Sequence, residues 1–365
     1  MKSQTIDSIL ALALLAFIIF QSGCKEEEID NTQLPTLSTF PVEKITSQSA
    51  LGGGEIINDG GAAITARGLV WNTLEDPTTE NHEGMTAEGD GTGSFSSSLS
   101  NLLSYTTYYV RAYASNSKGT NYGNQLEFET LPEGAHAKVT DIDGNVYWTV
   151  AIDTIEWMAQ NLRTSKYADG TPILTGLSDD EWENTNEGAY REIPYDDTLS
   201  NSRGFDLPLL EFESYGFLYN AHAADANPCP EGWHVAKQME WNFMLAYLKL
   251  FYDIGDNQVG NAIKSCRQVN SPLGGGCKTD WHPRWDEHPT EYGTNKVFFL
   301  GLPAGDVDPS GVYSGLGKTG TWWTLNYSSG WPSRISLNYT SGGAQQGASR
   351  PNFGYSIRCI RTLAE

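Results

Sequence analysis

The sequence is poor in positive charge. Its 23 Lys and Arg face 45 Asp and Glu, a net charge of −22. Nucleic acid and anionic lipid head groups are polyanions, so neither suits such a chain as a partner. Long apolar runs are lacking too: residues 9–20 fall short of the roughly 20 residues that a membrane-spanning helix needs. Cysteine is scarce, at five in 365 residues, with none between Cys24 and Cys229. Carboxylates are plentiful, yet no spacing singles out the flanking pair that glycoside hydrolysis requires. The run Asp141-x-Asp143-Gly144-Asn145 starts like a calcium loop, but the twelfth residue from Asp141 is Ile152 rather than Glu, so it reads as a hairpin turn.

What the chain does have begins with an address. Residues 9–20 fit the apolar core of a signal peptide, with Lys2 in the segment before it. They lead into Ser22-Gly23-Cys24, which resembles the end of a bacterial lipoprotein signal. That resemblance implies removal of 1–23 and a lipid on Cys24, the mature N-terminus. Gln21 departs from the pattern, where Leu is usual, and Asp7 leaves the leading segment nearly neutral. The run Lys25-Glu26-Glu27-Glu28 resembles the acidic tag that sends Bacteroidota lipoproteins to the outside of the outer membrane. Residues 24–35 read as a tether, and the N-terminal lipid as the contact with the membrane.

The remainder is long enough for two ordinary domains. With 38 Gly, 11 Trp and 18 Tyr, it suggests turn-rich β structure with aromatic contact surfaces. Asp179, Asp180, Glu181, Glu183, Glu187, Glu192, Asp196 and Asp197 crowd one polar segment, which reads as a solvated loop, a calcium loop being the sharper alternative. Beyond Cys24 four cysteines remain, and an even number in an exported domain suggests two disulfides in one of three pairings. Cys266–Cys277, closing a Gly-rich local loop, with Cys229–Cys359 is the favoured pairing. The long closure should stabilise by about 4–5 kcal/mol in the chain-entropy picture.

Short alternating runs broken by Gly, Asn and Asp fill residues 36–131, the pattern of a β-sandwich. The clearest strand is 108–114, with Tyr108, Val110, Ala112 and Ala114 on one face; others are expected at 49–57, 65–72, 93–99 and 125–130. Residues 132–138, with Pro132-Glu133-Gly134, read as a linker. A second domain, 139–365, opens with a hairpin of 138–141 and 146–152. Its one convincing helix is 238–252, with Trp241, Leu245 and Leu248 on a face that Phe243, Ala246 and Leu250 broaden.

Leu102, Thr106, Tyr108 and Val110 match the L-x-x-x-T-x-Y-x-V pattern of the fibronectin type III family, which the first domain resembles. The resemblance implies a spacer domain and a tyrosine corner, in which the Tyr108 hydroxyl bonds back to upstream backbone. Ser104 stands where that family often has Pro. In the second domain five blocks occur in order: DIDGNVYWTVAIDTIEWMAQNL, YGFLYNAHAA, CPEGWHVAKQMEW, LPAG…GTWWT and GYSIRCIR. Together they resemble the Fibrobacter succinogenes major paralogous domain. The CPEGWHV-x4-EW block and the closing G-x-x-x-R-C are also similar to parts of the C-type-lectin-like fold and of formylglycine-generating enzymes. This implies a fibronectin III-like β-sandwich followed by an α+β C-type-lectin-like domain whose two ends pair in one sheet. Ala236-Lys237 stands where the resemblance places a Ser or Thr cap, a loss of about 1 kcal/mol, and Glu240 in the first turn reads as structural.

Formylglycine-type chemistry needs an accessible reactive cysteine pair; Cys229 and Cys359 sit in framework blocks, and Cys266 and Cys277 flank a loop that does not resemble that enzyme's active-site segment. His282, Asp286, Glu287 and His288 could in principle ligate a metal, but two prolines and irregular spacing favour a polar loop. The lectin calcium signatures Glu-Pro-Asn and Trp-Asn-Asp are absent from the sequence. No catalytic residue, metal or cofactor is therefore assigned. The candidate ligand contacts are aromatic: Trp281, Trp285, Trp322, Trp323, Trp331 and Tyr313, with one of Trp322 and Trp323 expected inside and the other outside. Asp153-Thr154-Ile155 and Asp197-Thr198-Leu199 resemble a Bacteroidota O-glycosylation pattern. The expected whole is a surface-anchored binding or adhesion lipoprotein, its ligand a glycan or an extracellular protein. An enzyme or a structural envelope component is the alternative.

Overall fold

The computed structural model describes residues 31–194, 215–328 and 330–363. Cys24, residues 1–23, the acidic run 25–28 and Asp197-Thr198-Leu199 lie outside them. Two compact units result: Gly52–Ser97 and Tyr109–Leu126 belong to one with the chain up to Pro41, and Val42–Leu51, Ser98–Tyr108 and the chain from Glu127 belong to the other.

The first eight strands are all β. Strands β1 (Thr36–Glu43), β2 (Ser49–Asn58) and β5 (Gly93–Ser100) form one sheet. Strands β3 (Ala66–Asn72), β4 (Gly84–Met85), β6 (Thr107–Asn116) and β7 (Gly119–Tyr122) form the other, and β8 (Leu126–Glu129) pairs with β6. The expected strand is the centre of β6, and Tyr108, Val110, Ala112 and Ala114 are all buried. Gly54 of β2 is required: an added Cβ would lie 2.7 Å from the Ala112 Cβ and 2.6 Å from the Ser38 carbonyl oxygen. The tyrosine corner is present, with the Leu103 N–H donating to the Tyr108 hydroxyl at 2.9 Å. Where Ser104 replaces Pro, the turn is held instead by hydrogen bonds. Thr130 Oγ1 accepts from the Thr106 N–H at 2.9 Å and donates to the Leu103 carbonyl at 2.7 Å.

The second body has two five-stranded sheets. In the first, β9 (Lys138–Thr140), β10 (Val146–Ile152), β11 (Ile155–Met158), β14 (His234–Val235) and β20 (Cys359–Thr362) take the order β14-β20-β11-β10-β9. Strand β11 runs antiparallel to β20, Ile155 opposite Thr362, so early and late parts of the domain meet in one sheet. In the second, β15 (Ala304–Val307), β16 (Tyr313–Leu316), β17 (Thr319–Ser328), β18 (Trp331–Asn338) and β19 (Ser341–Ala348) take the order β16-β15-β17-β18-β19. A two-residue pair, β12 (Tyr190–Arg191) with β13 (Leu218–Tyr219), stands apart.

Four α-helices of described residues complete it. The acidic segment is not wholly loop: Asp179–Asn184 is helix α1, because Ser178 caps it and Glu181 closes the capping box. Its Asp179, Asp180 and Glu181 occupy the first turn, where the helix dipole favours anions. Helices α2 (Ala221–Asp225) and α4 (Val259–Ile263) are short. Helix α3 (Gln238–Tyr252) has the expected bounds but a different buried face, formed by Trp241, Met244, Leu245 and Leu248. Phe243, Ala246 and Leu250 are exposed, because they lie on the side of the helix turned from the core. Lys237 offers no acceptor to the first turn, as expected of a missing cap. Half of the box survives: the Lys237 N–H donates to Glu240 at 2.7 Å, and Glu240 Oε1 lies 2.8 Å from His234 Nε2.

Both favoured disulfides are formed, Cys229–Cys359 across 130 residues and Cys266–Cys277 across 11. Deeper in, Arg358 is fully buried. It donates to Asn161 Oδ1 at 2.8 Å and to the carbonyls of Met158, Phe299 and Leu300 at 2.8, 2.7 and 3.1 Å. A buried cation needs such acceptors to offset lost hydration.

Candidate functional site

The six aromatic candidates do not converge. Trp322 and Trp323 are both fully buried, against the expected in-and-out alternation. The reason is that β17 is covered on both faces: Trp322 packs with Trp241 and Trp285 in one core, Trp323 with Tyr219 and Tyr355 in another. Their ring N–H groups are satisfied inside, by Asn161 Oδ1 at 2.8 Å and the Tyr219 carbonyl at 2.7 Å. Trp285 is likewise buried, donating to the Gly301 carbonyl at 3.0 Å beneath the Lys264 ammonium. Burial lowers that ammonium's pKa to about 8 against the opposing pull of Glu291. These three rings are core, not contact surface. Trp281 and Tyr313 are half-buried, Tyr313 donating to the Glu192 carbonyl at 2.9 Å, and Trp331 is exposed.

The polar candidates are occupied within the fold. Asp141 accepts from the N–H groups of Asp143 and Asn145 at 3.0 and 2.9 Å and from the Tyr147 hydroxyl at 2.6 Å, which makes it the core of a turn. At Asp143, partial burial works to raise the pKa, but hydrogen bonds from Lys166, Ser165 and Thr164 prevail and lower it to about 2. His282 Nδ1 meets the Tyr215 hydroxyl at 2.6 Å, Asp286 pairs with Arg284, and His288 Nδ1 accepts the Glu291 N–H at 2.9 Å. Each histidine thus has its own local task. Among the described residues no group of three His, Cys, Asp or Glu could hold a metal ion. Thr154 is exposed at the β10–β11 turn.

A site emerges elsewhere, beside β10. A cleft of about 430 Å³ is lined by Ala151 of β10 with its neighbours Val150 and Ile152, by Tyr247 and Tyr252 of α3, by Glu133-Gly134, and by residues 295–298. Strand alternation buries Val150 and Ile152 and leaves Ala151 exposed, so the floor is small and open. The Tyr247 ring lies 4.5 Å from the ring of Phe251, which is 66% exposed. Lys296 Nζ stands 6.0 Å from the Tyr252 ring.

The loop that forms the opposite wall is strained. Asn295, Phe298 and Leu300 have φ of 45°, 56° and 51°, a left-handed conformation unfavourable for non-glycine residues. The Asn295 side chain holds the Leu300 N–H at 2.9 Å, and Arg358 holds the carbonyls of Phe299 and Leu300 from below. Strain kept in place by buried bonds concentrates at functional sites. Gly134, at φ +93°, lets the chain pass the Phe298 ring, whose Cβ would be 3.0 Å from an added methyl. Sequence reasoning missed this cleft. Its signals were weak: two tyrosines off the buried stripe of α3, and one small residue between Val150 and Ile152. Of the left-handed residues only Asn295 is of a type that favours the conformation; Phe298 and Leu300 give no signal of it.

Residues 150–361 match the model of the Fibrobacter succinogenes major domain. No curated protein matches the chain. Among solved structures, the sensor domain of the anti-sigma factor RsgI4 of Pseudobacteroides cellulosolvens is 18% identical, over 27% of this chain and 97% of its own, at a TM-score of 0.21. A fibronectin type III domain of human collagen XX is 19% identical, over 27% of this chain and 94% of its own, also at 0.21. At these scores no function is carried across. The family match spans over half of the chain, and the chain belongs to the Fibrobacter succinogenes major domain family.

Proposed function

We propose that this protein is a lipid-anchored binding protein of the outer cell surface, in which a fibronectin-type spacer presents a ligand-binding head of C-type-lectin-like architecture. The observation that carries the binding role is the cleft beside β10. It combines tyrosine faces, an amide and both charge signs on a wall fixed by a buried arginine. Aromatic faces with a few placed polar groups are the usual make-up of a recognition site. The pairing of β11 with β20 supports the lectin-like architecture. Cys24 with its preceding apolar run supports the lipid, and the acidic residues 26–28 support the exterior face. The ligand class under this reading is a glycan or an extracellular protein. The test is binding of the intact chain to a glycan array and to immobilised matrix proteins. Specific binding to one class is expected, and uniform absence of binding by folded protein overturns the reading.

A further inference from the structure

We infer that the cleft beside β10 takes an extended peptide, which pairs with the strand edge at Ala151. This rests on the head being a binding module and names its ligand class. The argument starts from the ladder. In an antiparallel strand, successive residues aim their N–H and C=O groups at alternate neighbours. The Ala159 N–H donates to the Trp148 carbonyl, so Trp148, Val150 and Ile152 face β11. Thr149 faces the other way: its N–H donates to the Ala137 carbonyl at 2.9 Å, and its carbonyl accepts the His136 N–H at 2.7 Å. Two residues on, Ala151 aims at that same side, where the paired register of β9 has already ended at Trp148 opposite Lys138. The chain has turned away there, the Ala135 N–H closing onto the Pro132 carbonyl at 3.1 Å.

The edge therefore opens into the cleft with one donor and one acceptor at strand spacing. An added strand satisfies both, and the flanking pockets then choose its side chains. Tyr247, Tyr252 and Phe298 supply flat apolar surface, and Glu133 and Lys296 supply one charge of each sign. A polypeptide uses the backbone pair and both charges. A neutral glycan uses neither charge and has no matching strand repeat.

The test selects a phage-displayed library of random 12-residue peptides on the intact chain. The best binder is then synthesised with and without N-methyl groups on alternate backbone nitrogens. Ala151→Pro removes the outward N–H and blocks the approaching strand, and it removes no bond to β11. Binding should fall at least 10-fold for Ala151→Pro and for the N-methylated peptide, and several-fold for Tyr252→Ser. If Ala151→Pro fails to fold, the methylated peptide and Tyr252→Ser decide. Peptide binding unchanged by these alterations overturns the inference. Binding to a glycan array with no peptide selected also overturns it and leaves the binding head standing. Neither kind of binding overturns both.

Discussion

Arg358 Nη1 donates to the carbonyl of Phe299 at 2.7 Å while its guanidinium carbon lies 4.3 Å from the centre of the same residue's ring. One residue thus receives both the hydrogen bond and the cation–π contact, and it sits inside the left-handed loop that walls the cleft. The arginine that precedes Cys359 in the last sequence block is the support of this loop.

Replacing Arg358 with Leu should take a buried donor from three carbonyls and leave Asn161 Oδ1 with the Trp322 N–H alone. Leaving a buried acceptor unsatisfied costs about 1–3 kcal/mol, so a loss of a few kcal/mol is expected. Urea denaturation should show that loss, and hydrogen exchange should show the amides of 298–300 losing protection at denaturant levels where the β17 core is still protected.

The two disulfides should differ in worth. Removing Cys229 and Cys359 together opens a 130-residue loop and should cost about 4–5 kcal/mol, whereas removing Cys266 and Cys277 opens an 11-residue loop and should cost about 3 kcal/mol. Chemical denaturation of the paired Cys→Ser variants measures both, and the reverse order would contradict the loop-entropy account.

Stability should fall as pH drops from 6.5 towards 4. Burial, with the neighbouring Arg284 charge, lowers the His282 pKa from 6.5 to about 4, and Asp286 opposes only in part. In that window the unfolded chain binds a proton at His282 that the folded chain refuses, so protonation favours unfolding. The gap corresponds to at most about 3 kcal/mol. His282→Gln should flatten this part of the stability profile relative to the parent.

Core and cleft aromatics should separate cleanly. Trp323→Ala empties a fully buried site and should cost about 3–5 kcal/mol. Tyr252→Ser, at a position 41% exposed, should cost little stability and act on ligand binding instead. Thermal denaturation alongside ligand titration tests the pair.

Labelled palmitate should be incorporated by cells that express the full chain and should be lost in Cys24→Ala. Retained label in the variant would remove the proposed anchor.

The sequence was most legible where local rules decide. Strand β10 and helix α3 take the bounds their periodicity implies, and the Asp143-Gly144 turn forms the expected hairpin. The tyrosine corner and both disulfides also matched. Legibility failed where tertiary cover decides. Whether Trp323 faces solvent depends on what lies over the second face of β17, and the residues that cover it, Tyr219 and Tyr355, are far away in sequence. Helix α1 was hidden because carboxylates that read as solvated loop are also good first-turn residues once Ser178 caps them. The cleft was hidden because an open strand edge is a property of where β9 stops, not of any residue type.

The pairing of β11 with β20 has a consequence for how such a domain travels. A body whose chain arrives and departs within one sheet can be spliced into a new carrier without threading its middle through anything. Its outermost strand β9 and its final strand β20 are separated by only β10 and β11, about 15 Å at ordinary strand spacing. A short glycine bridge could join those ends, and new termini could then be cut at an exposed turn. The domain is laid out as a cassette, with both of its ends on one sheet.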